Sequence, residues 1–208
     1  MVFARVFSIY SKGEKFMYLT DKDRIELLNI ARKTIEYCLK ENITSSPSFD
    51  KLGIVEPTQP VMGAHCGAFV TLHNKGKLRG CIGNFNPNYE LYKVVKDMAV
   101  QSAFKDNRFH SPTLEEMKEI DIEVSVLTPF NKIRDVSEIK LGKHGIYIMN
   151  EGRSGTFLPQ VATETGWSLM EFLGHCSQDK MGLGWNDWQN AEIFTYEAEV
   201  FGEKEFEM

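Results

Sequence analysis

The stretch CGAFVTLHNKGKLRGCIG, residues 66–83, constrains the fold more than any other part of this chain. Two runs of alternating character flank NKG, and a three-residue loop ending in glycine fits a type I turn closed by a bulge. In that register residue 73 faces 77, 71 faces 79 and 69 faces 81. One face then carries Cys66, Ala68, Val70, Leu72, Leu78, Gly80 and Ile82, all apolar or glycine. The other carries Gly67, Phe69, Thr71, His73, Lys77, Arg79, Cys81 and Gly83. A one-residue slip would mix the two faces, so burial of the apolar one selects the pairing. A hairpin with one apolar face needs a covering layer.

The chain supplies that layer as amphipathic helices. Thr20 and Asp23 form a capping-box pattern, and Ile25, Leu28, Ala31, Ile35 and Leu39 recur at helical spacing through about Glu41. A second helix is expected from about Tyr89, burying Leu91, Val94, Val95, Met98, Ala99 and Ala103. Thr113 with Glu116 marks a short capped helix, and Ser168 with Glu171 caps one carrying Met170, Phe172, Leu173 and Cys176. Residues 42–60, with Pro47, Pro57 and Pro60, read as a loop. IDIEVSVL (120–127) and GIYIM (145–149) read as strands, with NEGRSG as a turn. A last strand over 193–201 is expected to place Phe194, Tyr196, Ala198 and Val200 on one face. Strands outnumber helices without strict alternation, which points to α+β: mostly antiparallel sheet with packed helices, in a larger and a smaller lobe.

A net charge of −5 argues against a broad nucleic-acid footprint and leaves only a local basic patch of Lys75, Lys77 and Arg79 for that role. No segment approaches a membrane span, and the N-terminal apolar run is too short for a signal peptide. Cysteines 38, 66, 81 and 176 contain no CxxC pair. A reducing, cytoplasmic setting is therefore expected.

Chemistry concentrates at Arg79 and Cys81, which alternation places on one face. A guanidinium beside a thiol favours the nucleophilic thiolate, so Cys81 is the candidate nucleophile. Gly80 and Gly83 would leave low ground on which a ligand could approach. The competing reading makes Cys81 a small filler under a helix. Asp106 and Arg108, in FKDNRFHSP (104–112), form the second candidate. Beside Arg79, Arg108 would complete a cationic pocket; alternatively Glu123 neutralises Arg79. None of the five histidines is placed by a motif that would make it the base a thiol needs, and no metal site is expected. GKHG (142–145) reads as a turn. Trp167, Trp185 and Trp188 are expected to anchor a core beneath MGLGWNDW.

These motifs resemble one family. Leu78, Arg79, Gly80, Cys81, Ile82 and Gly83 match the six-residue LRGCIG signature of the AMMECR domain family. GAFVTL, DNRF followed by Pro112, IEVSVL, GTFLPQVATETGW and EFL stand in that family's order across roughly residues 18–201. The family's later KAGL is Lys180-Met181-Gly182-Leu183 here, with Met for Ala. The resemblance implies an α+β domain of two lobes beginning near the helix at Thr20. Residues 1–16 are then an extension or disordered N-terminus, and 17–208 a single AMMECR-type domain. It implies an intracellular protein with a ligand or partner site around the motif, acting in RNA or protein modification. Memo-like and radical-SAM proteins, genomic neighbours of microbial members, are the partners it suggests. No cofactor and no catalytic role come with the signature, and the alternative is a non-catalytic interaction or regulatory module.

Overall fold

The computed structural model describes residues 9–11, 14–17, 19–85 and 88–208. The chain divides into two compact units, one reaching Leu127 and resuming at Glu199–Met208, the other Thr128–Ala198. Of the stretch expected to be an extension, residues 1–8, 12 and 13 lie outside the described residues. Strands β1 (Ile9–Ser11) and β2 (Glu14–Met17) pair antiparallel.

In the first unit, helix α1 (Asp21–Glu41) starts at the capping box, where the Thr20 N–H donates to Asp23 Oδ2 at 2.8 Å. Its inner side buries Leu27, Leu28, Ile30, Ala31, Ile35 and Cys38. One turn, α2 (Phe49–Leu52), interrupts the expected loop 42–60. The sheet has the order β10-β5-β3-β4, with β3 (Ala68–Asn74), β4 (Lys77–Asn84), β5 (Ile120–Leu127) and β10 (Ala198–Gly202). Helix α3 (Leu91–Phe104) covers the even-numbered face of β3 and β4. Val70, Leu72, Ile122, Val124 and Val126 are fully enclosed there with Val95 and Ala99. Burial of such side chains is worth about 1.5–3 kcal/mol each.

The hairpin register differs from the one expected. Asn74 faces Lys77, and Lys75 and Gly76 both take left-handed φ (51° and 77°), so the turn has two residues. Thr71 therefore faces Cys81, and Phe69 faces Gly83. The two-residue shift keeps every side chain on its face, because the strand period is two. The exception is at a bulge. Leu72 faces Gly80 while His73 faces Leu78, which leaves Arg79 as the extra residue. The alternation slips there, and Leu78, expected inside, is 42% exposed.

The C-terminal segment is tied down by ions. Arg32 forks onto Glu203, with Nη2 to Oε2 at 2.6 Å, and donates to the Met117 and Ile120 carbonyls. Glu203 is buried and also accepts the Ile122 N–H at 2.8 Å.

The second unit has a sheet of order β6-β9-β7-β8: β6 (Asn131–Lys132), β7 (Gly145–Asn150), β8 (Arg153–Phe157) and β9 (Glu192–Tyr196). Helices α4 (Pro159–Thr165) and α5 (Leu169–His175) follow, and α5 runs into a π-helical turn over Cys176–Lys180. The single strand expected over 193–201 is two strands in two sheets. The faces also change: Ile193 and Thr195 are buried, whereas Val200 is 38% exposed. At the break, the Thr128 N–H donates to the Glu197 carbonyl at 2.9 Å and the Glu197 N–H to Thr128 Oγ1 at 2.8 Å. These bonds hold the two ends of the unit side by side.

Candidate functional site

The site forms where α3 presses on β4. Ser102 places a hydroxyl on the otherwise apolar inner side of α3. Its Oγ donates to the Val70 carbonyl at 2.6 Å and accepts the Ile82 N–H at 2.9 Å, bridging the ladder where those residues face each other. Gly80 permits this approach, since a Cβ there would lie 2.4 Å from the Ser102 carbonyl oxygen. Gly80 thus serves helix packing, on the face opposite Cys81. The space above Gly83 is filled by the Phe69 ring, 2.2 Å from where a Cβ would stand. Neither glycine offers the low ground expected from the sequence, because each is already covered from within the chain.

With the Ile82 N–H turned toward β3, alternation turns the Cys81 N–H and C=O to the outer edge of the sheet. Asp106 and Arg108 take both groups. Asp106 Oδ2 accepts the Cys81 N–H at 2.9 Å, and Arg108 Nη2 donates to the Cys81 carbonyl at 3.3 Å. The two side chains also clasp each other, Nε to Oδ1 at 2.8 Å and Nη2 to Oδ2 at 2.7 Å. Asp106 is buried, while the Arg108 side chain is 51% exposed.

Arg79 is occupied elsewhere. Its Nε and Nη2 donate to Glu116 Oε1 and Oε2 at 2.6 and 3.1 Å, and Nη1 donates to the His110 carbonyl at 2.6 Å. Its neutralising partner is therefore Glu116, not Glu123, which stands opposite Thr71 on β5. Both guanidinium carbons lie near the Phe109 ring, Arg79 at 6.0 Å and Arg108 at 5.4 Å from its centroid. The expected cationic pocket does not form. Each arginine carries its own carboxylate, and Glu123 adds negative charge beside Cys81.

These partners set the protonation states. Burial pushes the Cys81 thiol up, and the hydrogen bond from Thr71 Oγ1 (3.2 Å to Sγ) and the charge of Arg108 pull it down only in part. The cation that acts on the sulfur is Arg108, not Arg79. Cys38, Cys66 and Cys176 are raised by burial too, the last two to about 12, so no thiol here is activated. The Arg108 guanidinium holds the Asp106 carboxyl at about 2, against the opposing effect of burial. Asp106 is then too weakly basic to take a thiol proton. The hydrogen bond to the sulfur comes from Thr71; His110 contributes its carbonyl to Arg79, and His73 faces Leu78.

In the second unit, His175 stacks on Trp167 with centroids 4.0 Å apart and meets Trp185 edge-on at 4.9 Å; its Nδ1 lies 2.8 Å from Asp179 Oδ2. Trp188 is buried in the core, as anchoring requires, whereas Trp185 is 37% exposed and lies over Gly174.

Sequence reasoning missed Ser102, Thr71 and Glu116 as parts of the site. Ser102 did give a signal: a hydroxyl at a core position of an apolar helical stripe requires a buried partner. Glu116 gave none, since its partner is 37 residues away.

The AMMECR1 family model matches residues 28–201. The chain belongs to the AMMECR1 family. A protein of Methanopyrus kandleri is 38% identical over 205 residues, covering 93% of each chain. A protein of Methanosarcina mazei is 36% identical over 193 residues, 90% of this chain and 94% of that one. The crystal structure of the uncharacterized protein PH0010 from Pyrococcus horikoshii superposes with a TM-score of 0.75 at 35% identity, covering 86% of this chain and 90% of that chain. In this AMMECR1-family member the LRGCIG stretch, residues 78–83, lies within β4, at one edge of the first unit's four-stranded sheet. No helix among the described residues is long and apolar enough to cross a membrane.

Proposed function

We propose that this AMMECR1-family chain is a binding module that presents the LRGCIG strand to a protein partner in the cytoplasm and does not use Cys81 as a nucleophile. The observation that carries this reading is the fate of the site's polar groups. Asp106, Arg108, Arg79 and Glu116 satisfy one another and the backbone of β4, and the thiol is held in its protonated form. A nucleophilic cysteine needs a neighbouring base or a depressed pKa, and Cys81 has neither. What β4 offers outward is shape, with the exposed Leu78 at the bulge as its apolar contact. The partners suggested by resemblance are Memo-like and radical-SAM proteins, which would make the module an accessory to RNA or protein modification.

The test is calorimetric binding to a purified Memo-like protein, with alkylation of Cys81 followed by mass spectrometry. Leu78→Asp should weaken binding at least tenfold, about 1.4 kcal/mol. Cys81→Ser should leave affinity essentially unchanged, and iodoacetamide should label Cys81 slowly at neutral pH. Rapid labelling with an apparent pKa below the ordinary ~8.5, together with loss of function in Cys81→Ser, would overturn the reading in favour of a thiol enzyme.

A further inference from the structure

An edge strand exposes a row of backbone donors and acceptors that invites another strand, and proteins protect such edges. The four-stranded sheet of the first unit has two edges. β10 is five residues long and carries Glu199, with Glu203 directly after it. β4 is eight residues long, contains Gly80 and Gly83, and has its only lysine at its first position. By length and composition β4 is the adhesive edge. Its protection is unusual in kind: among the described residues the Cys81 N–H and C=O are met by side chains and not by another strand. The two side chains come from the loop after α3, a carboxylate standing where an incoming C=O would accept and a guanidinium where an incoming N–H would donate. Two residues further along, Arg79 reaches out from β4 to the His110 carbonyl of the same loop. The loop 106–116 is thus fastened to the β4 edge through side chains at both contacts.

We infer that the Asp106–Arg108 pair is a gate on the β4 edge, and that the partner this edge accepts is an extended backbone segment added as a further strand. This rests on the reading of the LRGCIG strand as a binding surface and specifies how the surface is used. Strand addition draws its affinity from main-chain hydrogen bonds, which suits an edge whose side-chain charges are already neutralised. The half-exposed Arg108 is the side chain that can swing away, whereas Asp106 is buried and stays. Opening the gate frees the Cys81 carbonyl for an incoming backbone N–H, while Asp106 keeps the Cys81 N–H and stands in for one bond of the new ladder.

The probe is a synthetic peptide with the sequence of residues 77–84, able to pair antiparallel with β4 itself. Pairing about Cys81 would bring the two thiols opposite each other, with Cα atoms about 5.5 Å apart and within disulfide reach. Arg108→Ala should bind the peptide at least tenfold more tightly than the wild type and form a Cys81-to-peptide disulfide under mild oxidation. In the wild type the Cys81 amide should be protected from hydrogen exchange, and it should lose that protection in Asp106→Ala, which has no acceptor, until the peptide is added. If Asp106→Ala does not fold, the near-isosteric Asp106→Leu, which also lacks an acceptor, carries the same exchange measurement. A folded Arg108→Ala that neither binds the peptide nor forms the disulfide overturns the gate. If Leu78→Asp still abolishes binding of the Memo-like protein in that case, the binding-module reading survives and only the strand-addition mode fails. If Leu78→Asp has no effect while the peptide binds, the gate stands and the partner assignment fails.

Discussion

Replacing Gly80 with alanine tests whether the signature's glycine serves the fold or a ligand. The added Cβ would sit 2.4 Å from the Ser102 carbonyl oxygen and 3.3 Å from its carbonyl carbon. A relaxed carbon-to-oxygen contact is about 3.3–3.6 Å, so α3 would have to retreat by roughly an ångström. The clashing atoms are helix backbone, which no rotamer change can move. Overpacking of a tight core typically costs about 1–3 kcal/mol. This site belongs at the upper end, because a retreating helix also stretches the Ser102 bridge between Val70 and Ile82, whose bonds contribute about 1 kcal/mol each. We take about 3 kcal/mol. For a chain of this length that lowers the melting temperature by about 6–12 °C. Differential scanning calorimetry on Gly80→Ala, with Gly63→Ala as a control whose added Cβ meets only the Pro60 carbonyl oxygen at an ordinary 3.7 Å, reads this directly. A Gly80→Ala protein melting within a degree or two of wild type would refute the close-approach argument.

Other expectations follow from the same geometry. Glu203→Ala removes three hydrogen bonds and leaves the Arg32 guanidinium half-buried without its main carboxylate, so it should cost about 3 kcal/mol by chemical denaturation. The Asp106 clasp should show itself in pH dependence. Its folded carboxyl sits at about 2, below the ~3.9 of an unfolded aspartate, so its stabilisation is fully present above about pH 4 and is lost as pH falls toward 2. Denaturation midpoints of wild type and Asp106→Asn should therefore converge in strong acid and separate above pH 4, and a constant gap would contradict the pairing.

The parts of this fold legible in the sequence were those with a local cause. The helices at Asp21–Glu41 and Leu91–Phe104 announce themselves through caps and long apolar stripes, and the hairpin faces through strict alternation. The hairpin register was not legible, because it depends on Lys75 entering the left-handed region, which lysine seldom does. The break between β9 and β10 has no glycine or proline to signal it; Glu197 ends one strand because its neighbours join different sheets. At the site, the bulge at Arg79 interrupts the alternation expected to pair it with Cys81, and the polar partners of both come from segments whose positions only tertiary structure sets. An arginine beside a cysteine looks like activation until the carboxylate that claims the arginine is seen.

The bonds between Thr128 and Glu197 also bear on the order in which the molecule can assemble. β5 and β10 are neighbours in one sheet, but residues 128–197 are translated between them. Closing a flexible loop of that length would cost roughly 4 kcal/mol of chain entropy before β10 gained a single ladder bond. If Thr128–Ala198 folds first, its fastened ends turn that long loop into a short one. The first sheet then gains its last strand, and Arg32 its carboxylate, only after the intervening segment has been synthesised. Until that moment the nascent chain has a β5 edge with no neighbour on one side.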